Sequence, residues 1–337
     1  MSRYVIFGGT GFIGTHLSQT LLESDPEGKV VLFDINPPRD AGYAAGLQRA
    51  LSTGRATFVK HDVRDPIDAS GTGPVDVVFN LAAVHREPGH LPYEYFQTNI
   101  DGAQHVCAFA SAVCAKMMVF TSSISVYGPS EEPKTEESIT VPETPYGSSK
   151  LVAETIHRGW QTASPGRQIL ILRPGVVFGP GEGGNVSRLI RSLVKGYFVY
   201  MGNRTTRKAG GYVKELCEVI RFGIDYQIKS GESVTLLNFS TNPTASIEDF
   251  VNAIREVAKI KRRPVSLPRA LLLASSYPIN AVAEALAIKQ PISPTRVRKL
   301  FRSTNIEAKR LQTLGYKYRY SLKEAFEDWK HDMPTDF

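Results

Sequence analysis

The chain has 337 residues, 42% of them hydrophobic, and carries 40 Lys and Arg against 33 Asp and Glu, a formal net charge of +7. That length is long for one compact core and suits a core with a smaller lobe, in the composition of a soluble globular protein. Three cysteines, Cys107, Cys114 and Cys217, contain no CxxC pair, which argues against a disulfide framework and against a zinc site.

The basic excess is uneven. Arg188 to Lys214 and Lys259 to Arg310 are rich in Lys and Arg, which suits a phosphate-bearing ligand or an anionic membrane surface. No nucleic-acid motif accompanies the charge, so that partner is not expected. The chain opens on a strand-like run, Tyr4 to Phe7, with no basic region and apolar stretch before it, so no signal peptide is read and the cytoplasm is the expected compartment.

The first strand runs into Gly8-Gly9-Thr10-Gly11-Phe12-Ile13-Gly14, followed by an amphipathic helix with Leu17, Leu21 and Leu22 on its apolar face. Strand, glycine turn and helix are the setting of a dinucleotide fingerprint. Glycine lets the backbone approach a ligand, and the helix start offers free N–H groups to a pyrophosphate. The spacing is G-x-x-G-x-x-G. The second strand, Val30 to Asp34, ends in an acid about 20 residues after the glycine run, where a carboxylate takes the adenosine ribose hydroxyls. Asp34 repels a 2′-phosphate and so favours NAD over NADP, with Arg39 near enough to soften the preference. A third strand, Ala56 to Lys60, leads to His61-Asp62-Val63, where a carboxylate meets the adenine amino group. A fourth, Val75 to Leu81, leads into Leu81-Ala82-Ala83, small enough to let a cofactor pass.

A helix is predicted from Tyr93 to Cys114, with Asn99 in its middle and Cys107 and Cys114 on one buried face. The fifth strand, Met117 to Thr121, delivers Ser122 to Gly128. A serine here either hydrogen-bonds a substrate hydroxyl or serves as a cap or turn residue. Tyr146 and Lys150 follow on a helix that runs to about Thr162. At i and i+4 they share one face, and a cation beside a phenol favours the phenolate, so the pair reads either as a proton shuttle between an alcohol and a ketone or, standing alone, as a tyrosine and a lysine at a common spacing. Strand six, Gln168 to Leu172, leads into the glycine- and proline-rich run Pro174 to Gly184, where a second lobe begins. A strand at 234–239 returns to the sheet. Ser246 and Ser321 open helices with capping boxes, and Ser293-Pro294 opens another. The segment Pro268 to Ile292 is the most apolar, but Pro278, Asn280, Glu284 and Lys289 make it a poor membrane span. It is read as a packed helix of the second lobe, or as an apolar lip for a lipid-linked substrate or peripheral membrane contact.

Taken together, Gly8, Gly11, Gly14, Asp34, Asp62, the Asn80-Leu81-Ala82-Ala83 run, Asn99, Ser123 in S-x-x-V-Y-G, and Tyr146 with Lys150 resemble the extended short-chain dehydrogenase/reductases, the NAD-dependent epimerase/dehydratase group. The resemblance is dense from Tyr4 to Gly181. It implies a seven-stranded parallel sheet, NAD(P), catalytic Ser123, Tyr146 and Lys150, and a homodimer. Departures narrow the chemistry. Sugar 4,6-dehydratases carry an Asp-Glu pair after the serine, and Ile124-Ser125 stands there instead, so dehydration is not expected. Val176 occupies the place of an asparagine that binds a nucleotide-sugar diphosphate. The character is closest to surface-polysaccharide sugar epimerases and reductases and to the 3β-hydroxysteroid dehydrogenase branch.

The expected fold is therefore α/β, a Rossmann-type doubly wound parallel sheet over 1–175 with a smaller, mostly helical C-terminal lobe over 176–337, interleaved through the strand at 234–239. Gly8, Gly11, Phe12, Ile13, Gly14, Asp34, Asp62, Val63, Leu81, Ala82, Ala83, Asn99, Tyr146 and Lys150 are expected to hold NAD. His85, Ser125, Arg204, Arg207 and Lys208 are expected to meet the substrate, with no metal. The expected reaction is NAD-dependent epimerisation or oxidoreduction at a ring hydroxyl, C4 for preference, of a nucleotide- or polyprenyl-diphosphate-linked sugar. Oxidation of a sterol-type alcohol is one alternative. A non-catalytic NAD-binding scaffold is the other.

Overall fold

The computed structural model describes residues 2–87, 89–267 and 302–337. Its strands are β1 (Arg3–Phe7), β2 (Lys29–Asp34), β3 (Ala56–Lys60), β4 (Val77–Asn80), β5 (Met117–Thr121), β6 (Ser130–Lys134), β7 (Gln168–Pro174), β8 (Val176–Phe178), β9 (Tyr200–Met201), β10 (Gly210–Tyr212), β11 (Val234–Phe239), β12 (Ser266–Leu267) and β13 (Thr304–Ile306). Its helices are α1 (Phe12–Ser24), α2 (Ala45–Ser52), α3 (Pro92–Phe96), α4 (Gly102–Ala112), α5 (Pro145–Thr162), α6 (Asn185–Val194), α7 (Val213–Ser230), α8 (Ile247–Val257), α9 (Lys309–Thr313) and α10 (Leu322–Asp332).

Seven parallel strands form one sheet in the order β11-β7-β5-β4-β1-β2-β3. Side chains alternate across a strand, so each strand feeds two cores. Ile6, Phe79, Val119 and Leu170 pack with Leu17 and Leu21 of α1 and Leu216 and Ile220 of α7. Val5, Phe7, Met118 and Phe120 pack on the other face with Val106 and Phe109 of α4 and Ala153 and Trp160 of α5. Strand order reverses between β1 and β4, the crevice where open α/β sheets bind ligands. A third core joins Phe178 to Ile190 and Leu193 of α6, Phe250 and Ile254 of α8, and Phe326 and Trp329 of α10. The expected capping boxes are present at Ser246 with Asp249 and at Ser321 with Glu324.

Two expectations need correction. The path from Pro92 to Ala112 is not one regular helix, because Gln97–Asp101 forms a π turn between α3 and α4, and Asn99 lies in it. Cys107 is buried as expected, but Cys114 is exposed. The helix ends at Ala112, and Cys114 turns left-handed at φ 55° out of the buried face. The apolar segment Pro268 to Ile292 and the Ser293-Pro294 helix start lie outside the described residues.

Candidate active site

The site begins at the glycine turn after β1. Gly8 takes φ +76°, and a Cβ on it would stand 2.8 Å from the Ala82 nitrogen, so glycine alone allows the turn to lie on the Leu81-Ala82 backbone. A Cβ on Gly14 would stand 2.3 Å from the Gly8 oxygen, which packs the first turn of α1 onto the loop. Gly11 caps α1 without a side-chain bond, and the first turn carries no acid, so the amino-terminal amides of Phe12, Ile13 and Gly14 are left for an anion. The side chains of Phe12 and Ile13 pack into the C-terminal core, so only their backbone is offered. Asp34 ends β2 and accepts from the amides of Thr10 at 3.3 Å and Asn36 at 3.1 Å, which aims its carboxylate along the glycine turn. This cradle fits a dinucleotide: small backbone at the crossing, a free helix start, and an acid at its side.

Beyond it, Asp62 is held by Arg64, whose guanidinium donates at 2.6–3.0 Å and keeps the carboxyl below the usual carboxylate range. Val63 is buried against Gly102 of α4. Asn99 does not point away from this framework. Its Oδ1 accepts from Val84 N at 3.0 Å, and its Nδ2 donates to Val84 O at 3.2 Å and to Ser149 Oγ at 2.8 Å. Asn99 thus fastens the Ala82–His85 loop to α5, a link its position in the sequence did not show. His85 is exposed on that loop.

Thr144 caps α5 by accepting from Gly147 N, and Pro145 occupies the first helical turn. The helix buries Lys150 to 2% exposure and leaves Tyr146 half-buried, its ring 6.2 Å from that of Tyr95. Burial pushes the Tyr146 phenol up to about 12, with the Ser123 hydroxyl pulling the other way. Burial lowers Lys150 to about 7, opposed by Glu154. Its ammonium donates to Thr121 O at 2.8 Å and lies 4.8 Å from the Phe120 ring centroid. The expected depression of the tyrosine by Lys150 is therefore not the state of the free chain. Burial dominates the phenol, and the lysine's hydrogen bond goes to the end of β5. Ser123 is at once a cap and a site residue. Its Oγ accepts from Ser125 N and donates to Ser125 Oγ, both at 3.1 Å, while it flanks Tyr146.

The cations expected to grip a diphosphate are engaged within the chain. Arg204 pairs with Glu248 at 3.3 Å, Arg207 donates to Thr244 O, and Lys208 donates to Arg302 O at 2.6 Å. Lys208 also bridges to Thr304, the first residue of β13, whose Ile306 packs with Ile124, Val126 and Tyr127 after Ser123. Val176, 42% exposed, stands on β8. Among the described residues no cluster of His, Cys, Asp or Glu could hold a metal.

The model of the NAD dependent epimerase/dehydratase family matches residues 4–236. Over 326 residues the chain is 27% identical to the N-acetyl-alpha-D-glucosaminyl-diphospho-ditrans,octacis-undecaprenol 4-epimerase of Escherichia coli O157:H7, covering 96% of this chain and 92% of that protein. It is 26% identical over 347 residues to the decarboxylating sterol-4-alpha-carboxylate 3-dehydrogenase of Saccharomyces cerevisiae, covering 95% of each. The fold is shared with UDP-glucuronic acid 4-epimerase from Bacillus cereus in complex with NAD, at TM-score 0.75, 20% identity and coverage of 99% and 100%.

Proposed function

We propose that this chain, which belongs to the NAD dependent epimerase/dehydratase family, is an NAD-dependent epimerase of a sugar carried on a diphosphate, acting at the C4 hydroxyl. NAD is its cofactor. One observation carries the reading of the site: buried Ser123 flanks half-buried Tyr146, which stands one helical turn before Lys150, and Ile124-Ser125 follows Ser123 where an acid pair would be needed for loss of water. The undecaprenol-linked relative, aligned over nearly the whole chain, supports the diphosphate carrier.

Gly8, Gly11, the amides of Phe12 to Gly14, and Asp34 would hold the cofactor. Bound there, NAD would supply the hydride acceptor and donor for the carbon bearing the hydroxyl. Every other task falls to the chain. As the phenolate, Tyr146 Oη takes the hydroxyl proton during oxidation and, as the phenol so formed, returns it during reduction, the general acid–base role. Ser123 Oγ donates to the same substrate oxygen and keeps it in line with the phenol. Lys150, fixed on Thr121 O, supplies positive charge where the phenolate forms. His85 and Ser125 border the sugar. We read 1–175 with the strand at 234–239 as the cofactor part and the remainder as the substrate lobe. We also read the chain as a homodimer, with Tyr93, Phe96 and Val152 exposed on α3 and α5 to meet a second copy. A polyprenyl-linked substrate resides in a membrane. Among the described residues no helix is long and apolar enough to cross one, so peripheral contact at the cytoplasmic face is the proposed route.

A second reading has its own support. Arg204, Arg207 and Lys208 already have partners, and a neutral sterol-type alcohol needs none of them. The sterol dehydrogenase relative favours it. The deciding experiment assays purified enzyme on undecaprenyl-diphosphate N-acetylglucosamine, on the UDP-linked sugar and on a 3β-hydroxysteroid. The same assay is repeated on Arg204→Ala and Arg207→Ala. Diphosphate recognition predicts a rise in KM of about tenfold or more, since charge-assisted bonds contribute roughly 1.5–3 kcal/mol each. Steroid turnover insensitive to both variants overturns the sugar reading.

A further inference from the structure

Behind the catalytic face lies a chain of buried polar groups with no part in the chemistry above. Glu154 sits one turn beyond Lys150 on α5 and is 3% exposed; Arg173, at the end of β7, is 5% exposed. Arg173 donates to both carboxylate oxygens, from Nε at 2.8 Å and Nη2 at 2.7 Å. Ser122 Oγ donates to the same carboxylate at 2.5 Å. Arg173 Nη1 donates to Tyr127 Oη at 2.7 Å, and Tyr127 donates to Asn238 at 2.8 Å. Every member of this set is buried. Removing two ions from water costs as much as their attraction returns, so a buried pair is weak evidence of a stabilising role alone.

The set borders the proposed catalytic residues along the chain. Ser122 and Tyr127 flank Ser123 within one turn, and Glu154 lies on the face of α5 below Lys150. We propose that Glu154 is a positioning residue for the reaction: gripped by Arg173 and Ser122, it places the counter-charge that lets the Lys150 ammonium remain charged and fixed on the Thr121 carbonyl inside the fold. The groups around Lys150 leave this task to no other carboxylate among the described residues that influence it. Tyr146 and His157 share α5, His85 comes from the loop after β4, and Phe120 and Thr121 come from β5. His157 donates from Nδ1 to Ala153 O and accepts from Asn80, and burial holds it at about 4, so it is neutral. Glu154 is the group that raises Lys150 against its burial.

The inference rests on the proposed reaction for its kinetic consequence, and its test has a readout independent of turnover. Unfolding free energy is measured by urea titration from pH 5 to 11 for the wild type, Glu154→Gln, Lys150→Met and the double variant. Subtracting the Lys150→Met background isolates the lysine's own titration. Without Glu154 that titration should move to lower pH by about one unit or more, the effect of an opposite charge at close range. Where Glu154→Gln alone leaves Arg173 unpaired and fails to fold, Glu154→Gln with Arg173→Met removes both buried charges and should still move the titration down, by less than Glu154→Gln alone, because the cation that partly offsets Glu154 goes with it. In the kinetic arm, the high-pH fall in kcat should move down in parallel while KM holds. A loss of stability with the lysine's titration unmoved overturns the proposal. An unmoved kinetic limb with a moved lysine titration leaves Glu154 in place and overturns the role given to Lys150 in the reaction.

Discussion

Asn99 holds Val84 by both ends of one peptide residue, accepting from its N–H at 3.0 Å and donating to its carbonyl at 3.2 Å. The third bond, to Ser149 Oγ, continues to the Tyr146 carbonyl at 2.8 Å. The clamp joins the loop after β4 to the helix that carries Tyr146 and Lys150, and the π turn is what brings Asn99 to both. Such insertions recur at functional sites. Asn99→Ala leaves Val84 unpaired, and each buried unpaired group costs about 1–3 kcal/mol. We expect lower stability in urea and weaker NAD binding together. Reduced stability with unchanged NAD affinity would confine Asn99 to a structural role.

Tyr146→Phe keeps the ring against Tyr95 and removes the proposed proton carrier. Turnover should fall by about two to four orders of magnitude, the range of a general acid–base group. NAD titration of the variant should match the wild type. Near-normal turnover would remove Tyr146 from the mechanism.

Lys150 carries a burial penalty with a defined pH window. Its ordinary value of 10.5 is lowered to about 7 in the fold. Below about 7 both folded and unfolded chains hold the proton, and the full penalty is present. Between about 7 and 10.5 the unfolded chain binds more protons, so stability rises with pH until the penalty is gone. Lys150→Met should therefore be more stable than the wild type at pH 6, with the difference shrinking by pH 11, while rate and NAD affinity both drop. Equal stability across the range in urea titrations would contradict the burial seen here.

Asp34, at the end of β2, predicts a preference for NAD over NADP of about tenfold or more, equivalent to ~1.4 kcal/mol. Its carboxylate is already oriented by Thr10 and Asn36, so it meets a 2′-phosphate with repulsion and no anchor. Titration of the cofactor-free protein with each dinucleotide measures it. Tighter NADP binding would mean that Arg39 governs this end of the site.

Sequence by itself determined what depends on near neighbours. Glycine spacing, an acid closing β2, tyrosine and lysine one turn apart, and serine capping boxes are all local, because turns, caps and helix faces are set within a few residues. Strand identity was legible for the same reason, since runs such as Met117 to Thr121 are buried on both faces. Only the tertiary structure decided where long-range polar groups go. The Asn99–Val84 clamp needs a π turn, and the Glu154–Arg173–Tyr127–Asn238 chain joins residues far apart in sequence, each orphaned by burial until the sheet brings a partner. It also decided the state of Tyr146 and Lys150. Their spacing put them on one face, but burial moved the phenol up and the ammonium down, because taking charge out of water outweighs the Ser123 bond to the phenol and the Glu154 charge near the lysine.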